Sequence, residues 1–196
     1  MATWFTADLH FGHRNIIEYC NRPFSDVDDM TTGLVDRWNE RVAADDDVWV
    51  LGDVAMGRIA ESLPAVARLH GHKHLVAGNH DRCWFGHGER SADWIDRYRE
   101  VGFETIVQGT ARTAIGSTEV TLCHFPYEGD SHGMDRFVQH RPVDDGGWLV
   151  HGHVHDSFAQ RGRQINVGID AHDLAPVTEA LLAEWIAAGP ADRDPD

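Results

Sequence analysis

The sequence predicts an α/β fold in which two packed sheets are flanked by helices. Strand-like and helix-like segments alternate over the first half of the 196 residues, and short strand-like segments dominate the second half. No repeat, linker or low-complexity block divides the chain. We therefore expect one domain over residues 1–188, followed by a disordered tail over residues 189–196.

The first half contains three strand-like segments, each of which ends at polar residues. Alternating β-forming residues over Thr3–Asp8 predict the first strand, and the apolar run Val48–Leu51 predicts a buried second one. Lys73–Ala77 predicts the third strand in the same way. All three segments are short enough to be core strands rather than helices.

The helix-like segments of the first half repeat apolar residues every three or four positions. The clearest covers Val27–Val42, with Ser25 or Asp26 as its N-cap. In Ile59–Leu69, Pro64 fits only near the first turn of a helix, which argues for a later start. The other two segments are Asn15–Asn21 and Ser91–Gly102.

The second half changes to a two-residue period. The polar segment Tyr127–Gly147 predicts a long loop, and Pro176–Ala188 predicts a closing helix with proline in its first position. The predicted strands are Thr105–Val107, Ala111–Ile115, Glu119–Cys123, Trp148–Val150, and a hairpin of Phe158–Gln160 with Gln164–Val167.

Charge and cysteine content exclude several classes of protein. The net charge of −15 argues against a general nucleic-acid coat protein and against binding to an anionic membrane surface, because both need clustered lysine and arginine. No apolar run is long enough to span a bilayer, and no basic segment of a signal peptide precedes the first strand. Three cysteines without CxxC spacing do not indicate a disulfide framework, so we expect a cytoplasmic protein.

The 14 histidines are the most informative feature of the composition, because histidine is the commonest metal ligand. Asp8 and His10 follow the first strand at a spacing that points both side chains the same way, so both can reach one ion. Gly52 allows a sharp turn that places Asp53 at the tip of the second strand, where its carboxylate can bridge two cations. Each motif alone is also typical of an ordinary turn.

The third strand ends in a Gly-Asn-His-Asp run. Asn79 offers a neutral carbonyl oxygen as a ligand. If His80 stays off the metal, it can serve as a general acid, and Asp81 can orient its ring and hold it cationic. The alternative is an asparagine turn with a solvated histidine.

Two later strands end in histidines. His124 ends the fourth strand, and the spacing of His153 and His155 places both rings on one side of an extended segment. His151 is expected to face the core instead. Five strand ends with ligand residues in one order favour a shared metal site over five unrelated turns.

These ordered motifs resemble the calcineurin-like metallophosphoesterase superfamily, over residues 8–155. Asp8–His13, Arg22–Phe24 and Asn166–Asp170 are similar to a small single-domain prokaryotic phosphoesterase or phosphohydrolase branch. The resemblance implies a four-layer α-β-β-α sandwich of the metallo-dependent phosphatase type, without a large cap domain. The domain over residues 1–188 is then a calcineurin-like phosphoesterase domain.

The resemblance also implies a dinuclear metal centre. It implies a first ion held by Asp8, His10, Asp53 and His155, and a second held by Asp53, Asn79, His124 and His153. His80 would be the uncoordinated catalytic imidazole, with Asp81 behind it. Such oxygen and nitrogen ligands suit Mn, Fe, Co, Ni or Zn, with manganese favoured, and two ions sharing a water lower its pKa enough to give an attacking hydroxide.

We therefore expect a metal-dependent phosphoric ester hydrolase acting on a small phosphate ester, with diesters slightly favoured over monoesters. Substrate phosphate could contact His13, Arg14 or Arg82, although solvated arginines are commoner. One alternative is a nuclease, which the net charge disfavours unless Arg14, Arg22, Arg82 and Arg136 form a local cluster. Another is a metal-binding interaction scaffold without turnover.

Overall fold

The fold is built on two sheets, which we describe from a computed structural model covering residues 1–195. The first sheet comprises β1 (Thr3–Thr6), β2 (Asp47–Val50), β3 (His72–Val76), β4 (Phe103–Val107) and β10 (Val177–Thr178), in the order β10-β1-β2-β3-β4. The second comprises β5 (Thr110–Ile115), β6 (Thr118–Cys123), β7 (Trp148–His151), β8 (Gln160–Gly162), β9 (Gln164–Asn166) and β11 (Ala191–Arg193), in the order β11-β8-β9-β7-β6-β5.

The helices of the described residues are mostly short. They are α1 (Arg14–Tyr19), α2 (Val27–Arg41), α3 (Ile59–Ser62), α4 (Ala92–Glu100) and α5 (Glu179–Ala188), with 3-10 turns at Leu63–Arg68, Phe85–Ser91, Val138–His140 and Ile169–Ala171. Among residues 1–195, no helix has the length and apolar character that crossing a membrane requires.

Strand direction brings the predicted motifs to shared edges. In the first sheet, β1, β2, β3 and β4 run parallel, and in the second sheet β6, β7 and β9 do. Because parallel strands end at one edge, the residues that follow β1, β2 and β3 meet there. The residues that follow β6 and β7 meet at the corresponding edge of the second sheet.

The core lies on both faces of the first sheet. Between the sheets, Phe5 and Val76 pack in one buried cluster with Leu122 and Val150 of the second sheet. On the opposite face, Val48 and Val50 of β2 and Leu75 of β3 belong to one buried cluster with Trp38 of α2. Helix α5 contacts β1, β10 and β5, and therefore touches both sheets. The predicted α/β fold with two packed sheets and flanking helices is confirmed.

Several element boundaries differ from the sequence prediction. Helix α2 begins where expected, and the Asp26 carboxylate caps it by accepting from the backbone N–H of Asp28 and Asp29. The closing helix begins at Glu179 rather than at Pro176, because Val177–Thr178 first pair with β1 and Thr178 then supplies the N-cap. The segment Ile59–Leu69 begins as α3 and continues as a 3-10 turn with its proline in the first turn, because proline has no backbone N–H to donate.

Part of the segment 189–196, which the sequence predicted to be a disordered tail, belongs to the fold. Ala191–Arg193 form β11, which pairs antiparallel with β8, so these residues are ordered by backbone hydrogen bonds that the sequence pattern does not reveal. Asp196 lies outside the described residues.

Candidate metal centre

Five of the predicted metal-binding residues have left-handed backbone conformations. The φ angles are 60° at Asp8, 53° at His10, 56° at Asp53, 73° at His153 and 52° at His155. Residues other than glycine rarely adopt this region, and such strain concentrates at functional sites. The backbone therefore turns at each of these residues in a way that local preference does not favour.

Asp8 and His10 each carry a buried atom without a hydrogen-bond partner. Oδ1 of Asp8 and Nε2 of His10 lie 3.9 Å apart, and neither finds a partner among the described residues. The other Asp8 oxygen accepts from the backbone N–H of His153 at 2.9 Å. Burial raises the pKa of Asp8 to about 6 and lowers the pKa of His10 well below its usual value. A cation between these atoms would supply the missing partner.

Asp53 stands at the centre of the cluster. Its Oδ2 lies 3.7 Å from Nε2 of His10, 3.4 Å from Nε2 of His124 and 3.9 Å from Nε2 of His80. Its Oδ1 accepts the backbone N–H of His80 at 2.8 Å. Burial opposes ionisation of Asp53, but the neighbouring imidazoles, above all His124, hold the pKa of this carboxyl well below its usual value. Its position between histidines suits a bridging ligand.

His124 is oriented by the backbone of the second strand. Its Nδ1 lies 2.8 Å from the Leu51 carbonyl oxygen, so Nδ1 carries the proton of a neutral ring and Nε2 is left as an acceptor. That Nε2 lies 3.1 Å from Oδ1 of Asn79 and 3.3 Å from Nδ1 of His153. Three ligand-type atoms thus face one another, as a shared cation would require.

Two buried carboxylates each contact one ring nitrogen of the other two histidines in the cluster, His153 and His155. Oδ2 of Asp130 lies 3.1 Å from Nε2 of His153, and Oδ2 of Asp170 lies 2.9 Å from Nδ1 of His155. A carboxylate on one ring nitrogen fixes the tautomer and raises the basicity of the other nitrogen. Both rings are therefore oriented by groups outside the cluster.

Glycines make room for the ligand side chains. A Cβ at Gly78 would lie 2.4 Å from Oδ1 of Asp53 and 2.8 Å from Nδ1 of His124. A Cβ at Gly152 would lie 2.7 Å from Oδ2 of Asp8. The backbone approaches these side chains so closely that only glycine fits without displacing them.

The donor set fits transition-metal ions. Ligand-type atoms of Asp8, His10 and His155 lie within 4.8 Å of one another, and so do those of Asp8, Asp53 and His124. The donors are carboxylate oxygens, imidazole nitrogens and one amide oxygen, which suit Mn, Fe, Co, Ni and Zn better than Ca or Mg. All seven residues predicted as ligands are brought into this one cluster.

The structure changes the role predicted for Asp81. Its Oδ2 accepts the backbone N–H groups of Asp53 and Gly78. Its Oδ1 accepts the backbone N–H of Val54 and the hydroxyl O–H of Tyr98. All of these donors are buried, and none belongs to the ring of His80. The prediction that Asp81 orients that ring is therefore wrong, because the carboxylate is already used to hold the turns after β2 and β3.

The structure places the three predicted substrate contacts, His13, Arg14 and Arg82, at three different locations. A cavity of about 640 Å³ opens beside the cluster, and His13 and His80 line it. Arg82 lines a smaller cavity of about 170 Å³ on another side of His80. Arg14 is exposed on α1 and is not among the lining residues of either cavity.

Arg22 cannot contribute to a nucleic-acid surface. It is buried, pairs with Asp170 at 2.7 Å and donates to the carbonyl oxygens of Asp8 and Leu9. The arginine cluster that a nuclease would need therefore loses one of its four members. The guanidinium instead holds Asp170 and the turn that follows β1.

Sequence reasoning missed Asp130 and Asp170 as parts of the site, and it considered Arg136 only as a member of the arginine cluster that a nuclease would need. Asp170 ends the Asn166–Asp170 motif, so its place after β9 could have suggested a role. Asp130 and Arg136 lie in the long polar loop, where no periodicity marks them.

Two other histidines lie outside the cluster. His151 is buried, as expected for a core residue, and its Nδ1 lies within hydrogen-bond distance of the Gly152 carbonyl oxygen. His72 pairs with Glu104 at the opposite end of β3.

The fold places a cluster of ligand-type residues at the edges of its two sheets, and comparison with known proteins identifies the family of the chain. The calcineurin-like phosphoesterase superfamily domain matches residues 1–171, and the chain belongs to this superfamily. The chain is 39% identical over 188 residues to the Gene 66 protein of Mycobacterium phage D29, covering 90% of this chain and 92% of that protein. It is 37% identical over 187 residues to the Gene 66 protein of Mycobacterium phage L5, covering 86% of each.

A solved structure shows the same fold. The protein of unknown function AQ665 from Aquifex aeolicus superposes with a TM-score of 0.70 at 21% identity, covering 94% of this chain and 98% of that one. At this identity the likeness concerns the fold alone.

Proposed function

We propose that the chain is a metal-dependent hydrolase of small phosphate esters. The observation that carries the proposal is the pair of buried, unpartnered atoms, Oδ1 of Asp8 and Nε2 of His10, beside the carboxylate of Asp53. Membership of a phosphoesterase superfamily supports the same activity. Burying such polar atoms without a partner is costly, and a resident cation removes that cost.

Two ions are proposed, with manganese favoured. Asp8, His10, Asp53 and His155 would hold the first ion, and Asp53, Asn79, His124 and His153 the second. When bound, the ions would supply Lewis acidity toward phosphoryl oxygens and a water of lowered pKa. The chain fixes the rings of His124, His153 and His155 through the Leu51 carbonyl, Asp130 and Asp170, in that order.

His80 is the proposed catalytic residue that stays off the metal. Its side chain is 40% exposed and lines the cavity, while its backbone N–H is fixed on Asp53. Burial lowers the pKa of His80, so its ring is mainly neutral at pH 7 and keeps one N–H. The ring would donate that N–H to a phosphoryl or leaving-group oxygen as charge develops there.

An open site favours diesters. The cavity reaches the surface beside His80, and no separate cap domain covers it within the described residues. A second substituent on phosphorus would therefore meet solvent rather than protein. We propose phosphodiesters as the preferred class, with monoesters as poorer substrates.

The test is hydrolysis of bis(p-nitrophenyl) phosphate and p-nitrophenyl phosphate by the manganese-loaded protein. The variant His80→Ala should keep its metal and lose about 10²- to 10⁴-fold in kcat. His72→Ala, which removes an exposed imidazole at the opposite end of β3, should match the wild type. Full activity in His80→Ala would refute the role of His80. Metal binding without turnover of any ester would favour the scaffold alternative.

A further inference from the structure

The cavity beside the metal centre has three chemically different walls. Its lining includes the exposed aromatic ring of Tyr19, the guanidinium of Arg136 and the carboxylate of Asp156, together with His10, His80 and His155 of the centre. A site that only had to hold an alkyl phosphate would not need this combination. Each of the three groups points to a different part of one ligand.

Tyr19 supplies a flat apolar surface. It ends α1, its side chain is 67% exposed, and its ring packs edge-on to that of His13 at 6.3 Å between centroids. Six large hydrophobic side chains stand out as exposed among the described residues, and Tyr19 is the one that lines this cavity. An exposed aromatic face within a phosphate-ester site is suited to stacking on a planar ring.

Arg136 supplies a fixed cation. Its Nη2 and Nε donate to Oδ1 of the buried Asp130 at 2.7 and 3.1 Å, and its backbone N–H donates to Oδ2 at 2.9 Å. Nη1 makes no hydrogen bond to any described residue. The same carboxylate holds His153, so the guanidinium is anchored to the metal centre itself. A guanidinium held on one side and free on the other is suited to an anionic oxygen.

Asp156 supplies an acceptor at the mouth of the cavity. It follows His155 directly, and it is exposed. A carboxylate there would repel a second phosphate, but it would accept hydrogen bonds from sugar hydroxyls. A volume of about 640 Å³ is within the usual range for pockets that bind a ligand of nucleotide size.

We propose that this cavity selects nucleotides: the base stacks on Tyr19, the ribose hydroxyls donate to Asp156, and a phosphate oxygen meets Arg136. The inference rests on the proposed phosphoester hydrolase activity, and it names the substrate class of that site. It requires no change in the chemistry at phosphorus, because the nucleoside is bound away from the reacting bond.

Two ligands that cannot be hydrolysed separate nucleoside binding from phosphate binding. One is the methylenephosphonate analogue of AMP, in which carbon replaces the bridging ester oxygen. The other is methylphosphonate, which lacks the nucleoside. In calorimetric titrations of the manganese-loaded protein, the AMP analogue should bind about 10- to 100-fold more tightly, as expected for stacking of one base. Equal affinities would overturn the proposal.

Variants of Tyr19 and Arg136 test two of the three walls. Tyr19→Ala should remove most of the advantage of the AMP analogue and leave methylphosphonate binding unchanged, whereas Tyr19→Phe should keep the advantage. Arg136→Gln should weaken both ligands alike, with metal content measured to confirm that the centre is intact. Phe85→Ala removes an exposed aromatic outside this cavity and should change neither affinity.

The outcomes distinguish this inference from the proposed function. If the ester hydrolase proposal fails, methylphosphonate will not bind in a metal-dependent way and no ester will turn over. If only the nucleotide inference fails, both ligands will bind with equal affinity, or Tyr19→Ala will behave as the wild type, while bis(p-nitrophenyl) phosphate is still hydrolysed.

Discussion

Asp170 lies 2.9 Å from Nδ1 of His155 through its Oδ2, and the same carboxylate pairs with the buried guanidinium of Arg22. Burial opposes ionisation of Asp170, but Arg22 and His155 lower its pKa well below the usual value. The carboxylate therefore stays charged and holds the ring of His155 through Nδ1. The buried ion pair of Arg22 and Asp170 thus connects the turn after β1, the Asn166–Asp170 motif and the proposed metal ligand His155.

This relationship makes Asp170 a positioning residue for the metal. Asp170→Asn should weaken manganese binding by about 10- to 100-fold, the usual effect of losing a carboxylate behind a ligating histidine. Competition with a chelating dye measures the affinity. Asp173→Asn alters an exposed carboxylate close by in sequence, and should leave the affinity unchanged. Equal manganese affinities in Asp170→Asn and wild type would contradict the account.

Asp81 is expected to act on stability rather than on the ring of His80. Asp81→Asn replaces one carboxylate oxygen with an amide N–H₂ group, which cannot accept from the buried backbone donors that the carboxylate now satisfies. We expect the free energy of unfolding in urea to fall by about 3 kcal/mol, since each unsatisfied buried group costs about 1–3 kcal/mol. Tyr98→Phe removes one hydroxyl donor to the same carboxylate and should cost about 1 kcal/mol. Equal losses in the two variants would show that the backbone donors do not depend on Asp81.

Gly78 tests the close approach of backbone and ligands. Gly78→Ala places a Cβ 2.4 Å from Oδ1 of Asp53, so either the carboxylate or the turn must shift. Metal affinity should fall at least about 10-fold, and stability by about 1–3 kcal/mol, as is usual for overpacking. Gly133→Ala is the matched control, because a Cβ there meets nothing within 4 Å. Unchanged metal affinity in Gly78→Ala would mean that the cluster is looser than described.

Lys73, the one lysine of the sequence, gives a pH dependence far from the metal centre. Its buried ammonium donates to the carbonyl oxygens of Leu69 and Gly71 at 2.9 Å each, and burial lowers its pKa from 10.5. Between the lowered pKa and 10.5, the unfolded chain binds more protons than the folded chain, so raising the pH through this window favours folding.

The measurement compares urea unfolding of wild type and Lys73→Met across that pH window. The variant leaves the two carbonyl oxygens without their donor and should be less stable at neutral pH. Its deficit should grow as the pH rises toward 10.5, because the wild type sheds the cost of a buried charge. A deficit that shrinks with pH would contradict the stated direction of the pKa shift.

The sequence predicted which residues come together in the cluster better than it predicted the groups that orient them. Asp8 and His10 were predicted because their spacing and their place after a strand are local properties. Asp130 orients His153 from 23 positions away along the chain, so only the folded loop brings the pair together. Asp81 was misassigned because adjacency to His80 suggested contact, whereas the turn after β3 directs the Asp81 carboxylate toward the backbone N–H groups of Asp53 and Gly78.

The sequence prediction missed the short strands β10 and β11 for a related reason. Val177–Thr178 and Ala191–Arg193 are too brief to show a two-residue period, and pairing with β1 and β8 alone makes them strands. The parallel strands β1, β2 and β3 were predicted from alternating β-forming residues or from a short apolar run, and each predicted strand ends at or just before a glycine or an aspartate. Residue periodicity thus predicted the parallel strands that carry the site. It missed the short strands β10 and β11, which only their pairing with β1 and β8 reveals.

The central claim is that the strand-end residues hold two metal ions, and metal content tests it most directly. The protein is reconstituted with manganese, desalted and analysed by elemental mass spectrometry beside Asp53→Ala. We expect about two ions per wild-type chain, as in two-metal hydrolytic sites, and loss of both in Asp53→Ala, because its carboxylate faces both groups of ligands. A wild-type chain that retains no transition metal, or an Asp53→Ala chain that retains the wild-type content, would contradict the account.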